Sequence, residues 1–320
     1  MSLAETTEIQ KTPGAGFIQE LAPLLHLRWL QLLVLAGLLV VTGVVAFQIK
    51  LFVLDLDIWW HLKVGDWIVQ HAAFPHNGIL SRTAAARPWI AYSWGFEVLL
   101  SRFYAWFGLL GIGLYGTLLT LAVAFSVYWM ARRLSGRFWI SCVLAAITCY
   151  SFLFLMMPRP VFFSIILLCV SLTLMLQAQQ NGRVQTLYWL PLIFFLWANL
   201  HIQFIYGLVV LGLFVAINAA QRFASRLGIA PTFLESPTIP IPPLIGVFAG
   251  CVLATLISPY SYHLYVVIFT YSRSTLIYSI IKELQPVSFR GYENFAELLL
   301  AGAAFYAVGW RKKVDLFKLA

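Results

Sequence analysis

The sequence predicts an all-α integral membrane protein with about eight transmembrane helices, and three observations predict it. The 320 residues are 61% hydrophobic and 10% charged, whereas a soluble domain is nearer about 45–50% apolar and about 25% charged. The mean hydropathy is +0.86. The apolar residues also gather in runs near the ~20 residues that a helix needs to cross a bilayer.

The elements follow in order. Residues 1–28 form a polar tail with a Pro-Gly patch, and span 1 covers roughly 29–49. A long loop, 50–107, comes next. Span 2 is expected over 109–131, closed by Arg132, Arg133 and Arg137, and span 3 over 138–157, ending at Pro158-Arg159-Pro160. Span 4 covers 161–178, span 5 covers 187–200 and span 6 covers 203–220. Spans 5 and 6 are separated only by the polar residues Asn199, His201 and Gln203, so span 5 reads as short, as helices beside a cavity can be. A proline-rich linker, 231–243, leads to span 7 at 244–258. A second long loop, 259–292, precedes span 8 at 294–310, and a basic tail, 311–320, follows. The spans and their loops form one transmembrane domain over 29–310.

Charge sets the orientation. An even number of spans puts both ends on one side. That side collects Lys11, Arg28, Arg132, Arg133, Arg137, Arg183, Arg222, Arg226 and the run Arg311 to Lys313 in tails and short loops. The positive-inside rule makes it cytoplasmic. The opposite side takes both long loops, five of the six histidines (His61, His71, His76, His201 and His263), and the acids Asp55, Asp57, Asp66, Glu97, Glu283 and Glu293. The net charge of +9 thus reports orientation, and no nucleic-acid partner is expected. The four cysteines fall inside apolar runs and read as small core residues. Phosphate-loop, HExxH zinc and GxSxG nucleophile motifs are absent.

The first long loop carries the chemistry. Residues 58–71 fit an amphipathic helix lying in the interface, with Lys63, Asp66 and Gln70 as its polar strip and Asp57 as its N-cap. A second helix fits 93–107, capped by Ser93, with Glu97 and Arg102 as polar members. Asp55 and Asp57 are spaced i, i+2, so in an extended segment they point to one side and can share a proton or a cation. His61 follows Asp57 by four residues on the same helical face. Asp55, Asp57 and His61 are therefore the candidate metal ligands. Arginines near acids suit a phosphate beside a proton acceptor, and Arg82, Arg87 and Arg159 are the candidates. Asp57 has a structural role as a cap, which leaves Asp55 as the sharper candidate for chemistry. His201, with Asn199 and Gln203, is placed to line a cavity beneath the loop. Lys282 and Glu283 are placed to reach the site from the second loop, and Tyr260, Tyr262 and His263 read as interfacial anchors.

The stretches "DLDIWWHLKVGDWIVQH", "RPWIAYSWGFEVL", "RPVFFSIILL", "LPLIFFLWANLHIQFIYGL", "ISPYSYHLY" and "ELQPVSF" together resemble a group of bacterial polytopic membrane proteins of uncharacterised activity, over about 50–300. That group in turn resembles the GT-C superfamily of integral-membrane glycosyltransferases. The resemblance implies a GT-C-like fold in a bacterial inner membrane. It implies transfer of a sugar from a polyprenyl-phosphate donor to a lipid, glycan or protein acceptor on the extracytoplasmic face. The family's loop acid falls on Asp55 or Asp57, as base toward the acceptor hydroxyl or as holder of Mg²⁺ or Mn²⁺. His61, Glu97 and His201 become neighbours of the acceptor, and Arg82, Arg87 and Arg159 meet the donor phosphate. Family members have more spans and a soluble C-terminal domain, so beside them this chain, which ends just after its basic flank, is either a fragment or a minimal member, and a membrane-protein partner that supplies further helices is one expectation. Two alternatives stand beside this reading: a non-catalytic subunit of a membrane complex with the same fold, and a lipid or solute transporter. Proton-coupled transport is disfavoured, because the span centres carry almost no acids.

Overall fold

The computed structural model describes residues 27–48, 56–83, 85, 87–151, 158–229, 239–280 and 295–309. They form an all-α protein; among them no β-strand occurs, only an isolated bridge between Asn77 and Pro88. Four helices are long and apolar enough to cross a membrane: α1 (Arg28–Gln48), α4 (Leu109–Ser135), α6 (Val161–Asn181) and α8 (Phe204–Arg226). Their outward faces carry exposed Leu32, Val40, Leu118, Val209 and Leu213. Apolar surface on this scale is unusual in a protein bathed in water and is what lipid requires. The chain is membrane-embedded.

The other helices are shorter. They are α2 (Asp57–His71), α3 (Trp94–Phe107), α5 (Phe138–Ser151), α7 (Leu190–Leu200), α9 (Ile241–Thr255), α10 (His263–Ser272), α11 (Thr275–Ile280) and α12 (Phe295–Gly309). A 3-10 turn, Val184–Trp189, leads into α7. The end of the expected third span, residues 152–157, lies outside the described residues, as does most of the proline-rich linker.

Several boundaries differ from the expected ones, where end chemistry outweighs hydropathy. Helix α4 runs past the apolar stretch to Ser135, since Arg132 and Arg133 in its last turn complement the helix dipole, and it stops at Gly136 in the left-handed region. Helix α9 starts at Ile241, earlier than the expected 244, because Pro242 and Pro243 fall in the first turn, where no N–H is needed. The second long loop contains α10 and α11.

Two cores hold the molecule together. One joins α1, α2, α3, α4 and α6 through Ala46, Ile58, Leu62, Phe96, Leu100, Ile112, Tyr115 and Phe162. The other joins α6 to α10 through residues such as Met175, Phe194, Trp197, Phe204 and Tyr260, and it also takes Val64 and Ile68 from α2. Helix α2 thus packs one face between the two cores and leaves the other face exposed, as an amphipathic helix does. Ile58, His61, Leu62, Val64, Gly65 and Ile68 are buried, while Trp59, Lys63, Val69 and Gln70 face out.

The packing of α2 depends on a glycine. A Cβ at Gly65 would stand 2.0 Å from the backbone oxygen of Glu97, so α2 and α3 touch backbone to backbone. Gly95 makes the equivalent contact between α3 and α7, where a Cβ would stand 2.7 Å from the backbone oxygen of Asn199.

Candidate functional site

The close approach at Gly65 sets His61, one turn earlier, against Glu97. His61 Nδ1 and Glu97 Oε1 share a hydrogen bond at 3.1 Å. Both side chains are buried, with 7% and 1% exposure. His61 is held from its other sides by Trp60, at 3.6 Å between ring centroids, and by the edge of Phe96. The second carboxyl oxygen, Glu97 Oε2, is buried and has no hydrogen-bond partner. Burial pushes the Glu97 carboxyl up to about 8, so at neutral pH it favours the protonated form.

Glu97 contributes to the wall of a cleft of about 190 Å³. The remaining lining is Trp60 from α2, Leu80, Trp89, Ile90, Ala91 and Tyr92 from the connecting loop, and Tyr271 from the end of α10. A pairing of backbone groups shapes that loop: Trp89 N–H donates to the His76 oxygen at 2.9 Å and Gly78 N–H to the Arg87 oxygen at 3.1 Å. Tyr92 and Tyr271 meet edge to face at 6.4 Å. The Tyr92 hydroxyl is pushed up by burial first, then by Tyr271, Glu97 and Asp57.

Asp57 is not the N-cap. It is the first residue of α2, Leu56 holds the cap position, and no side chain caps the helix. Its carboxylate turns to Arg159, with Oδ2 3.7 Å from Nη2. An arginine supplies a stronger partner than free N–H groups already open to water. Asp55 lies outside the described residues. Ser93 takes the cap position of α3 without a side-chain bond, and its hydroxyl is buried without a partner.

Other expected residues fall elsewhere. Arg82 and Arg87 are exposed on the loop that carries Trp89. Asp66 meets Arg102 at 4.0 Å, which ties α2 to α3, and accepts from Gln70 at 2.7 Å. His201 sits at the break between α7 and α8, where its hydrogen bond with Ser164 at 2.8 Å joins a bond that Trp197 Nε1–H donates to the same hydroxyl. Burial pushes His201 down to about 3, so it is neutral. Asn199 is a clamp. Its amide donates to the Phe195 and Ile257 oxygens and its Oδ1 accepts from Trp94 Nε1–H at 3.0 Å. Tyr260 is no interfacial anchor, for it is buried and donates to the Pro75 oxygen at 3.0 Å. Lys282 and Glu283 lie outside the described residues.

Most walls of the cleft are not among the expected site residues. The aromatic run Trp89-Ile90-Ala91-Tyr92 before α3 is a visible signal for them. Nothing in the sequence ties Tyr271 to that run, although the second loop does reach the site through this residue.

Among the described residues, no three His, Cys, Asp or Glu side chains converge as a metal-binding group. Asp57 faces Arg159, and His61 faces Glu97. The chain matches no protein-family model, and no curated protein matches it.

Proposed function

We propose that the chain is a membrane glycosyltransferase that moves a sugar from a polyprenyl-phosphate donor to a hydroxyl acceptor on the extracytoplasmic face of a bacterial inner membrane, with a GT-C-like fold of about eight spans and both termini cytoplasmic. The observation that carries this reading is the cleft, which is small, aromatic-walled, membrane-anchored and furnished with a buried carboxyl group. At about 190 Å³, it is below the ~300–1,000 Å³ of pockets that enclose a whole drug-sized ligand. That suits one sugar ring and leaves the lipid tail outside, among the helices.

In this reaction negative charge develops on the leaving phosphate and a proton leaves the acceptor oxygen. The acceptor oxygen attacks the anomeric carbon. The bond from that carbon to the phosphate oxygen breaks, and the electron pair leaves with the phosphate. The acceptor proton passes to a carboxylate. Asp57, half-exposed and beside Arg159, suits that base, and Arg159 suits the phosphate, since a guanidinium pairs with either anion. Asp55 shares the base role in this proposal, and Arg82 and Arg87 line the donor's approach. A carboxylate is a weak base and acts late, on a hydroxyl already acidified by bond formation. Mg²⁺ is usually held by one or two carboxylates together with substrate phosphates. In the alternative role of these acids, Asp57 with Asp55 would hold it, or Mn²⁺, in that way in place of taking the proton, and the cation would neutralise the leaving phosphate.

The test is turnover. The purified protein is incubated with a short-chain polyprenyl-phosphate sugar, wild type beside Asp55→Asn and Asp57→Asn. Sugar release by the wild type and by neither variant supports the reading. Variants that match the wild type remove the loop acids from the mechanism. No release from any donor, with or without the divalent cation, favours a non-catalytic subunit with this fold.

A further inference from the structure

The proposed transfer uses Asp55, Asp57 and the arginines, and leaves Glu97, a residue of the cleft wall, without a task. Glu97 is 1% exposed. One oxygen is taken by His61, while the other is buried and meets no protein partner. Leaving a buried polar atom unpaired is unfavourable, and a ligand that hydrogen-bonds to this oxygen would relieve that cost. The rest of the wall is Trp60, Trp89, Tyr92, Tyr271 and aliphatic groups. Flat aromatic faces edged by polar groups match a sugar ring, which has C–H faces and a hydroxyl rim.

We propose that Glu97 is a specificity-determining residue of the cleft, and that its free oxygen reads a single ring hydroxyl of the sugar bound there. His61 is its positioning residue. This rests on the reading of the cleft as a sugar subsite. The carboxyl group suits a hydroxyl better than it suits a cation. Burial favours its neutral form, and a neutral carboxyl both donates and accepts, as a hydroxyl does. An organic ammonium ion would instead draw on the aromatic faces and on an ionised carboxylate. His61 fixes the register of the carboxyl because its ring is clamped between Trp60 and Phe96. A site that hydrogen-bonds a substrate hydroxyl rejects the analogue lacking it far more strongly than a site that merely fills space.

The experiment measures binding, so it does not depend on turnover. The intact chain in detergent is titrated with methyl glucopyranoside, methyl mannopyranoside and methyl galactopyranoside, then with the monodeoxy derivatives of whichever binds. Tryptophan fluorescence reports, since Trp60 and Trp89 stand in the wall. One deoxy position is expected to weaken binding by about tenfold or more, with the others close to the parent. Glu97→Ala should erase that one preference and leave the small losses at the other positions unchanged. His61→Phe should blunt the same preference without abolishing binding, which a general loss of structure would not do. Three results overturn the proposal: no saturable signal for any glycoside at tens of millimolar, equal losses at every deoxy position, or a preference that survives Glu97→Ala. Tetramethylammonium binding in place of the glycosides overturns it as well. Deoxy selectivity without turnover of a polyprenyl-phosphate sugar removes the transferase reading and keeps this one. Turnover that keeps its sugar preference in Glu97→Ala does the reverse.

Discussion

His61 Nδ1 lies 3.1 Å from Glu97 Oε1, and the pair is sealed between two helices that touch at Gly65. This contact joins residues 36 positions apart. It converts an amphipathic loop helix into one wall of a cleft.

Glu97 makes stability fall with rising pH. Its carboxyl titrates at about 8 in the fold, against 4.5 ordinarily. Between those values the folded protein keeps a proton that the unfolded chain has lost, so stability declines across that window, by at most about 1.4 kcal/mol per pH unit. His201 acts in the opposite sense, because its folded value of about 3 lies below the ordinary 6.5, and stability declines as pH falls below about 6.5. The two slopes oppose one another between about 4.5 and 6.5. From about 6.5 to 8 Glu97 acts alone of the two. The groups near it are His61 on α2, Tyr92 and Tyr260 in the loops, and Tyr271 on α10. Unfolding midpoints of the detergent-solubilised protein should drop across that upper window. Glu97→Gln should flatten the drop, and a variant with an unchanged slope would show that another group causes it.

Gly65→Ala should be among the most damaging single-methyl changes in the chain. The new Cβ meets backbone, not a mobile side chain. Overpacking typically costs about 1–3 kcal/mol, and here α2 and α3 must separate to relieve it. The expected result is a lowered unfolding midpoint together with loss of sugar binding. A stable variant with native binding would show that the two helices can separate without opening the cleft.

The Asp57–Arg159 pair separates function from stability. It is partly exposed at 3.7 Å, and such pairs contribute about 0–1 kcal/mol. Asp57→Asn and Arg159→Gln should therefore leave the unfolding midpoint within about two degrees of the wild type. Under the proposed mechanism each should depress turnover by about tenfold or more. Turnover close to wild type in both would reduce the pair to a surface contact.

Asn199→Ala should lower stability without touching the cleft chemistry directly. It removes two amide donations and orphans the Trp94 indole N–H. Unpaired buried polar groups cost about 1–3 kcal/mol each. Because Trp94 opens α3, hydrogen exchange should rise at the start of that helix and at the end of α9. Unchanged exchange there would contradict the clamp.

Much of the fold is legible in the sequence. Long apolar runs report helices directly, since a chain in lipid must satisfy its backbone within each segment. Residues 29–49, 109–131, 161–178 and 203–220 all correspond to long apolar helices. The two loop helices start within a residue of their expected positions. The site is legible only in pieces. Asp57 and Arg159 stand out by residue type, and their pairing needs the starts of α2 and α6 to meet.

By itself, the sequence determined the solvent of this protein, the order of its helices and the loop that concentrates its acids and aromatics. These are local properties of composition and period. Tertiary structure alone decided that the inner face of α2 enters both cores, that Glu97 is buried against His61, and that Tyr271 closes the same cleft. The reason is that burial is a relation between distant segments. A backbone contact at Gly65 and a hydrogen bond across 36 residues leave no trace in hydropathy, yet they set the environment that moves the Glu97 proton.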